Sequence, residues 1–431
     1  MSRLEQSIFV ARLCHYLIMT VMSEFKDRAF ADSGCTGDIT EKNRNEHRGN
    51  LSDAWASTMK GVSFGSDHVL AHGDETANLF GFDISYPNTR ERRENIERLV
   101  LSEKATLSLG AGNRKRIEEP DEFRTCFQKD KDRILHSSVF RRLAGKTQVF
   151  IFPSDHQRTR LTHALEVTQV AVAISRALNL NVDLTEAIAL GHDCGHGPGG
   201  HASEKAFNIY SAAGFDHASF GADKALRSLN LCHETLDGIR NHTWSKPSPY
   251  TQEGQVVSWA DRIAYICHDF EDAKSAKIVS QNDLSKEISK VVGETRRSQL
   301  NSFISSVIRS SIKTGVVSMF SETANALSMF RAFNYENIYM RPDSLEQSRR
   351  IIEMLQSLVE YYISNESELK TLLTVATDLS DVVIEKKIQE SRVDTVVECV
   401  AKMTDKYAMD LAVEKVGYSK DIFPIPPGGF I

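Results

Sequence analysis

Leu184-Thr-Glu-Ala-Ile-Ala-Leu-Gly-His-Asp-Cys-Gly-His-Gly-Pro-Gly-Gly-His201 is the stretch on which the fold turns. Its opening, Leu184–Leu190, is apolar almost all round, the mark of a helix at the centre of a protein rather than on its surface. Asp183, with Glu186 three residues on, gives that helix a capping-box-like start. The helix runs straight into His192-Asp193 and then into a glycine-rich loop carrying His196 and His201. Imidazole and carboxylate side by side are good ligands for a divalent transition metal.

The residues on either side supply partners. Arg160 to Leu178 places Leu161, Leu165 and Val172 along one stripe of a helix. That helix carries His163, which a short loop can bring beside His192, and Arg160, three residues earlier on the same face. Downstream, Ser258-Trp-Ala-Asp-Arg-Ile-Ala-Tyr265 sets Asp261 within an apolar helix. A carboxylate there is costly to bury unless it is paired or holds a metal. His163, His192, Asp193 and Asp261 thus form a candidate metal set from three helices. Asp261, Tyr265 and Asp269 follow at i, i+4 and i+8, one stripe of one helix. His201 and Glu204, three apart, share a face, and a carboxylate behind an imidazole fixes its tautomer and raises its basicity.

The rest of the chain sets the bounds. It has 431 residues, 41% hydrophobic and 26% charged, with 10 Pro, and so reads as globular, helix-rich and able to bury a core without staples. A net charge of −6 gives no support for nucleic acid as the main partner. The 7 Cys, at 14, 35, 126, 194, 232, 267 and 399, include no CxxC pair and read as reduced thiols of a cytoplasmic protein. The one membrane-like stretch, Ile8–Met22, is too short to span and is broken by Arg12 and His15, so no membrane association is expected. Residues 1–75 read as a poorly ordered extension, 76–275 as the core holding the site, 276–418 as a C-terminal helical region, and 419–431 as a tail. Helices are expected at Thr89–Leu107, Leu284–Thr314, Glu322–Asn334, Pro342–Ser364, Asp378–Gln389 and Asp394–Val416. The fold class is all-α.

His163…His192-Asp193…Asp261 matches the metal signature of the HD-domain phosphohydrolases. The surrounding text resembles the deoxynucleoside triphosphate triphosphohydrolases of the bacterial dGTPase-like group. The matching segments are Arg124-Thr-Cys-Phe-Gln-Lys-Asp, Lys146-Thr-Gln-Val-Phe, Arg158-Thr-Arg-Leu-Thr-His, Glu186 to His196, Gly214-Phe-Asp-His, Ala260-Asp-Arg-Ile-Ala-Tyr-Ile-Cys-His-Asp and Met403-Thr-Asp-Lys-Tyr-Ala. The likeness runs from about residue 85 to 418 and implies an HD helical core with additional C-terminal helices.

The resemblance implies hydrolysis of a dNTP to deoxynucleoside and inorganic triphosphate, for control of dNTP pools. A divalent metal (Mg, Mn, Fe or Co) on His163, His192, Asp193 and Asp261 would polarise the α-phosphate. His201 matches the family's catalytic histidine and Glu204 its acidic partner. His196 and His217 match phosphate contacts, with Arg160 as a bidentate clamp. Tyr265 stacks on the sugar and leaves no room for a 2′-hydroxyl, Asp269 accepts the 3′-hydroxyl, and Gln148 meets the deoxyribose. Arg158 and Lys146 read as surface charge. The family also implies homo-oligomers, often hexamers, sometimes with a second dNTP as activator, and the C-terminal helices would supply the contacts. Two departures stand out. Gly199 replaces a usual Phe, which predicts a looser loop or a more open pocket, and Cys194 replaces a usual apolar residue. The alternatives are another HD phosphohydrolase, such as a nucleotidase or guanosine-tetraphosphate hydrolase, and a non-catalytic nucleotide- or nucleic-acid-binding oligomer.

Overall fold

The computed structural model describes residues 52–56, 61–64, 66–71, 86–149, 157–212, 214–376 and 380–419. The chain divides into two units, 1–86 and 87–431. Most of the expected extension at 1–75, and nearly all of the tail at 419–431, lie outside the described residues. Within the first unit, β1 (Val62–Phe64) and β2 (His68–Leu70) form an antiparallel hairpin in the register Val62↔Leu70. It is the one sheet among the described residues.

The second unit is helical, as expected. In chain order it begins with α1 (Arg90–Val100), α2 (Cys126–His136) and the short α3 (Ser138–Arg142). Then come α4 (Arg160–Ala177), α5 (Val182–Gly191), α6 (His201–Asn208), the single turn α7 (His217–Phe220), α8 (His233–Arg240) and α9 (Gln252–Ser275). The α1 helix stops well short of Leu107. Ser102 leaves it because its N–H donates to the Asn179 carbonyl at 2.8 Å and its hydroxyl to Leu178. Tertiary hydrogen bonds outcompete another helical turn there.

The apolar helix is central as its sequence implies. Leu184, Ala187, Ile188 and Ala189 of α5 are fully buried against α2, α4, α8 and α9. Each such Leu or Ile contributes about 1.5–3 kcal/mol of burial. Close approach at one side depends on Gly238 of α8, where a Cβ would sit 2.4 Å from Ile188 Cδ1. The N-cap is Asn181, whose side chain accepts from Leu184 N at 3.2 Å, rather than Asp183. Asp183 and Glu186 instead both pair with Lys131 of α2, at 3.4 and 2.8 Å.

The C-terminal helices are α10 (Lys286–Val292), α11 (Arg296–Thr314), α12 (Ser321–Asn334), α13 (Pro342–Ser364), α14 (Glu366–Ala376), α15 (Asp381–Glu390), α16 (Arg392–Ala401) and α17 (Asp405–Leu411). Two expected helices are each broken in two. Gly293, at φ +87°, separates α10 from α11 in a conformation that glycine alone adopts freely. Thr404 separates α16 from α17, its hydroxyl accepting from Tyr407 N at 3.3 Å. The α14 helix was not foreseen. A second core forms where Ala202, Ala206 and Phe207 of α6 meet Ile351, Met354, Leu355 and Leu358 of α13. The α6 helix is thereby seated on the C-terminal helices. No helix among the described residues is long and apolar enough to cross a membrane.

Candidate metal centre and active-site cleft

A cavity of about 580 Å³ opens between α4, the 192–201 loop, α6, α9 and the turn at Tyr335–Tyr339. The four expected ligands converge beside it. Asp261 Oδ1 lies 3.2 Å from His163 Nε2 and 3.8 Å from His192 Nε2. Asp193 Oδ1 is 3.5 Å from His192 Nε2, and its Oδ2 is 4.0 Å from His163 Nε2. His192 Nδ1 donates to the Ala189 carbonyl at 2.7 Å. That bond puts the ring proton on Nδ1 and leaves Nε2 a bare lone pair. This Nε2 is buried and has no hydrogen-bond partner. His163, His192 and Asp261 offer ligand atoms within 4.8 Å of one another, and Asp193 does so with His192 and His242. Two imidazoles and two carboxylates with an unpartnered nitrogen between them fit a divalent cation.

Electrostatics sorts the imidazoles. Burial holds His192 neutral, and burial with the nearby Arg160 guanidinium keeps His196 well below the usual histidine range. Burial alone would raise the Asp193 carboxyl, but Arg160, His192 and His196 outweigh it and hold it well below the carboxylate range. His217 goes the other way. Burial disfavours its charge, yet the Glu204 carboxylate overcomes this and raises it, while Glu204 itself falls to about 2.

The expected His201–Glu204 hydrogen bond is not formed. Glu204 Oε1 accepts instead from His217 Nδ1 at 2.5 Å and from His217 N at 3.0 Å. His217 stacks on His196 with ring centroids 3.7 Å apart. His201 is open to the cleft, and the cleft walls and Arg160 draw its pKa below the usual value. Arg160 is buried. One Nη donates to Asp193 at 2.6 Å, while Nε and the other Nη have no partner. Tyr265 lines the cavity and accepts from Arg331 Nε at 2.9 Å. Asp269 accepts from the Tyr339 hydroxyl, keeps Oδ1 free, and is pushed up to about 7 by burial. Gln148 also lines the cavity, with Oε1 buried and unpartnered.

Three expectations are corrected. Lys146 is buried, not surface charge, and its ammonium donates to the carbonyls of His196 and Ala401. Arg158 is tied to Glu166 and Asp272. The loop at Gly199 is not loosened. Gly199 is buried at φ +73°, its N–H donates to Asp405 at 2.8 Å, and a Cβ there would meet Ile351 Cγ2 at 2.6 Å. Gly199→Ala is therefore expected to destabilise the protein by about 1–3 kcal/mol, from left-handed strain plus overpacking on a β-branched side chain. A thermal melt reads the change.

Sequence reading passed over His242, Arg262 and Tyr339. His242 is buried, its Nδ1 donating to Ile239, with Nε2 3.3 Å from His217 Nε2. Arg262 binds Asp261 at 3.0 Å and lies over Trp244 at 4.7 Å. The available signal for His242 was its place among the ten histidines between His136 and His268.

An all-α core with a two-His, two-Asp centre is the arrangement of an HD phosphohydrolase, and the HD domain model matches residues 160–266. A model of a phosphohydrolase-associated domain matches residues 317–414. A deoxyguanosinetriphosphate triphosphohydrolase-like protein of Caldanaerobacter subterraneus is 40% identical over 328 residues, 74% of this chain and 93% of that one. One of Clostridium perfringens is 41% identical over 298 residues, 66% of this chain and 87% of that one. The chain belongs to this family of dGTP triphosphohydrolase-like HD hydrolases.

Proposed function

We propose that the protein is a metal-dependent triphosphohydrolase that cleaves dNTPs to deoxynucleoside and inorganic triphosphate, serving dNTP pool control. The observation that carries this reading is the α9 stripe. Asp261 at the metal centre, then Tyr265, then Asp269, all line one cavity. A ligand lying along it meets donors for phosphate at one end and groups suited to a sugar at the other. The relatives' names point to the same substrate class. A homo-oligomer, with a second dNTP as activator, would be in keeping with this reading.

A cation on His163, His192, Asp193 and Asp261 would supply Lewis acidity to the α-phosphoryl group and the attacking water. Water adds at the α-phosphorus, the bond to the 5′-oxygen breaks, and that oxygen takes a proton. Arg160 has two unpartnered nitrogens, Nε and one Nη, that can donate to phosphate oxygens as a bidentate fork. Glu204 accepts from His217 Nδ1 and favours the imidazolium form of that ring, which when protonated at both nitrogens gives the phosphates a cationic neighbour. His201, neutral and open to the cleft, exchanges a proton with the substrate or with water. Tyr265 fills the space where a 2′-hydroxyl would project.

The test is product analysis by anion exchange after incubation with each dNTP, singly and mixed, with Mg²⁺, Mn²⁺ or Co²⁺. Deoxynucleoside plus triphosphate is the expected result. Release of inorganic phosphate or pyrophosphate would move the assignment to another HD phosphohydrolase. Tyr265→Ala is expected to improve kcat/KM for the ribonucleotide relative to the deoxyribonucleotide about tenfold, the scale on which a shape-selective pocket discriminates. Competition between ATP and dATP measures it.

A further inference from the structure

Three groups of the catalytic face hang on one carboxylate from the far end of the sequence. Asp405, the first residue of α17, is buried. Its Oδ1 accepts from Gly199 N at 2.8 Å. Its Oδ2 accepts from Thr147 N at 2.8 Å and from the Thr147 hydroxyl. Gly199 lies two residues before His201, and Thr147 precedes Gln148, so both bonds fix backbone next to groups that face the cleft. The same C-terminal segment makes a second hold. The Ala401 carbonyl at the end of α16 accepts from Lys146 at 3.1 Å, and the same ammonium donates to the His196 carbonyl. Packing closes the arrangement. A Cβ on Gly145 would lie 2.9 Å from Thr404 Cγ2. A Cβ on Gly200 would lie 2.7 Å from an Arg160 Nη and 3.2 Å from the Thr147 carbonyl.

We infer that Asp405 is a positioning residue of the reaction: it holds the 195–201 loop and the Thr147–Gln148 segment in register with the metal centre, which makes the C-terminal helices part of the catalytic apparatus. The inference rests on the hydrolase reading above and extends it. A buried carboxylate with three donors is far from replaceable. The three donors left without it would have no water to turn to. Asp405 is buried and does not line the cavity, and its oxygens face Gly199 and Thr147 rather than the cleft. Its effect must come through geometry, and a displacement of about 1 Å at reacting groups can cost about 10²-fold in rate.

Asp405→Asn tests this. The amide keeps the size of the carboxylate but turns one acceptor into a donor facing donors. In the full-length protein, kcat for dNTP hydrolysis is expected to fall about 10- to 100-fold while KM changes less. Hydrogen exchange, measured well below the melting temperature, is expected to quicken in peptides covering 145–149 and 195–201 and to stay unchanged in α4 and α5. A merely structural role would lower the melting temperature and leave both readouts as they are. If Asp405→Asn does not fold, Thr147→Val keeps the packing volume, removes only the hydroxyl, and is expected to show the same pattern more weakly. A folded Asp405→Asn, or Thr147→Val in its place, with kcat within twofold of wild type or with unchanged exchange in the loop would overturn the inference. Should the wild-type protein release no triphosphate, the proposed function falls, and the exchange measurement alone still decides whether Asp405 holds the loop.

Discussion

Replacing His192 by alanine is expected to remove the bound divalent metal and to lower the rate of dNTP hydrolysis by roughly 10³-fold or more. The Lewis-acid contribution is worth several kcal/mol, and each 1.4 kcal/mol is a factor of ten. The structure makes His192 a better probe than its neighbour. Its Nδ1 is spent on the Ala189 carbonyl and its Nε2 has no partner, so the lone pair has no structural task for the variant to abolish. Asp193→Ala would confound two effects, because Asp193 carries the buried Arg160 ion pair at 2.6 Å. Removing one member of such a pair leaves an uncompensated charge and costs about 3–5 kcal/mol. Loss of the imidazole volume in His192→Ala is a packing loss, which the melting temperature reports separately. Metal content by elemental analysis checks the prediction. Full metal occupancy with near-normal turnover in His192→Ala would refute the assignment of the centre.

What was legible in the sequence was what periodicity and local chemistry fix. The α4, α5 and α13 helices carry clear apolar patterns, and the structure follows them within a few residues, while the helix read around Asp261 runs further in both directions as α9. The candidate metal cluster was legible because His163 and Asp261 sit within apolar helices and His192-Asp193 follows directly on one, where a polar group has little other reason to be. Helix breaks were less so. The apolar pattern runs on through Gly293 and Thr404, and only the backbone angle or the cap shows the stop. The side-chain partners were the least legible. Lys146 reads as surface charge because the groups that bury it lie elsewhere, one of them 255 residues away. Glu204 and His201 share a helical face by spacing, yet the carboxylate turns across to His217, thirteen residues on, whose ring the loop has brought within reach. Spacing along a helix says which residues are neighbours on it, not which rotamer a third element will capture.

That capture leads to the second large effect, Glu204→Gln, expected to lower kcat about 10²–10³-fold at neutral pH, the range for loss of one group that stabilises charge in the transition state. The amide oxygen can still accept from the His217 backbone N–H, but the charge that overcomes burial and raises His217 is gone. The sign of the pH dependence follows. Wild-type His217 is protonated below its raised pKa. In the variant burial dominates and the pKa falls, so the imidazolium survives only at more acid pH. The deficit of Glu204→Gln is therefore smallest at acid pH and widens as pH rises, until wild-type His217 itself loses its proton. A pH–rate profile of both proteins reads this directly. A double-mutant comparison separates the two histidines that Glu204 could serve. With Glu204 acting through His217, adding Glu204→Gln to His217→Ala costs little more, while adding it to His201→Ala costs nearly the full amount. The reverse pattern would return Glu204 to His201, and would mean that the pairing at 2.5 Å is exchanged for another when substrate enters the cleft.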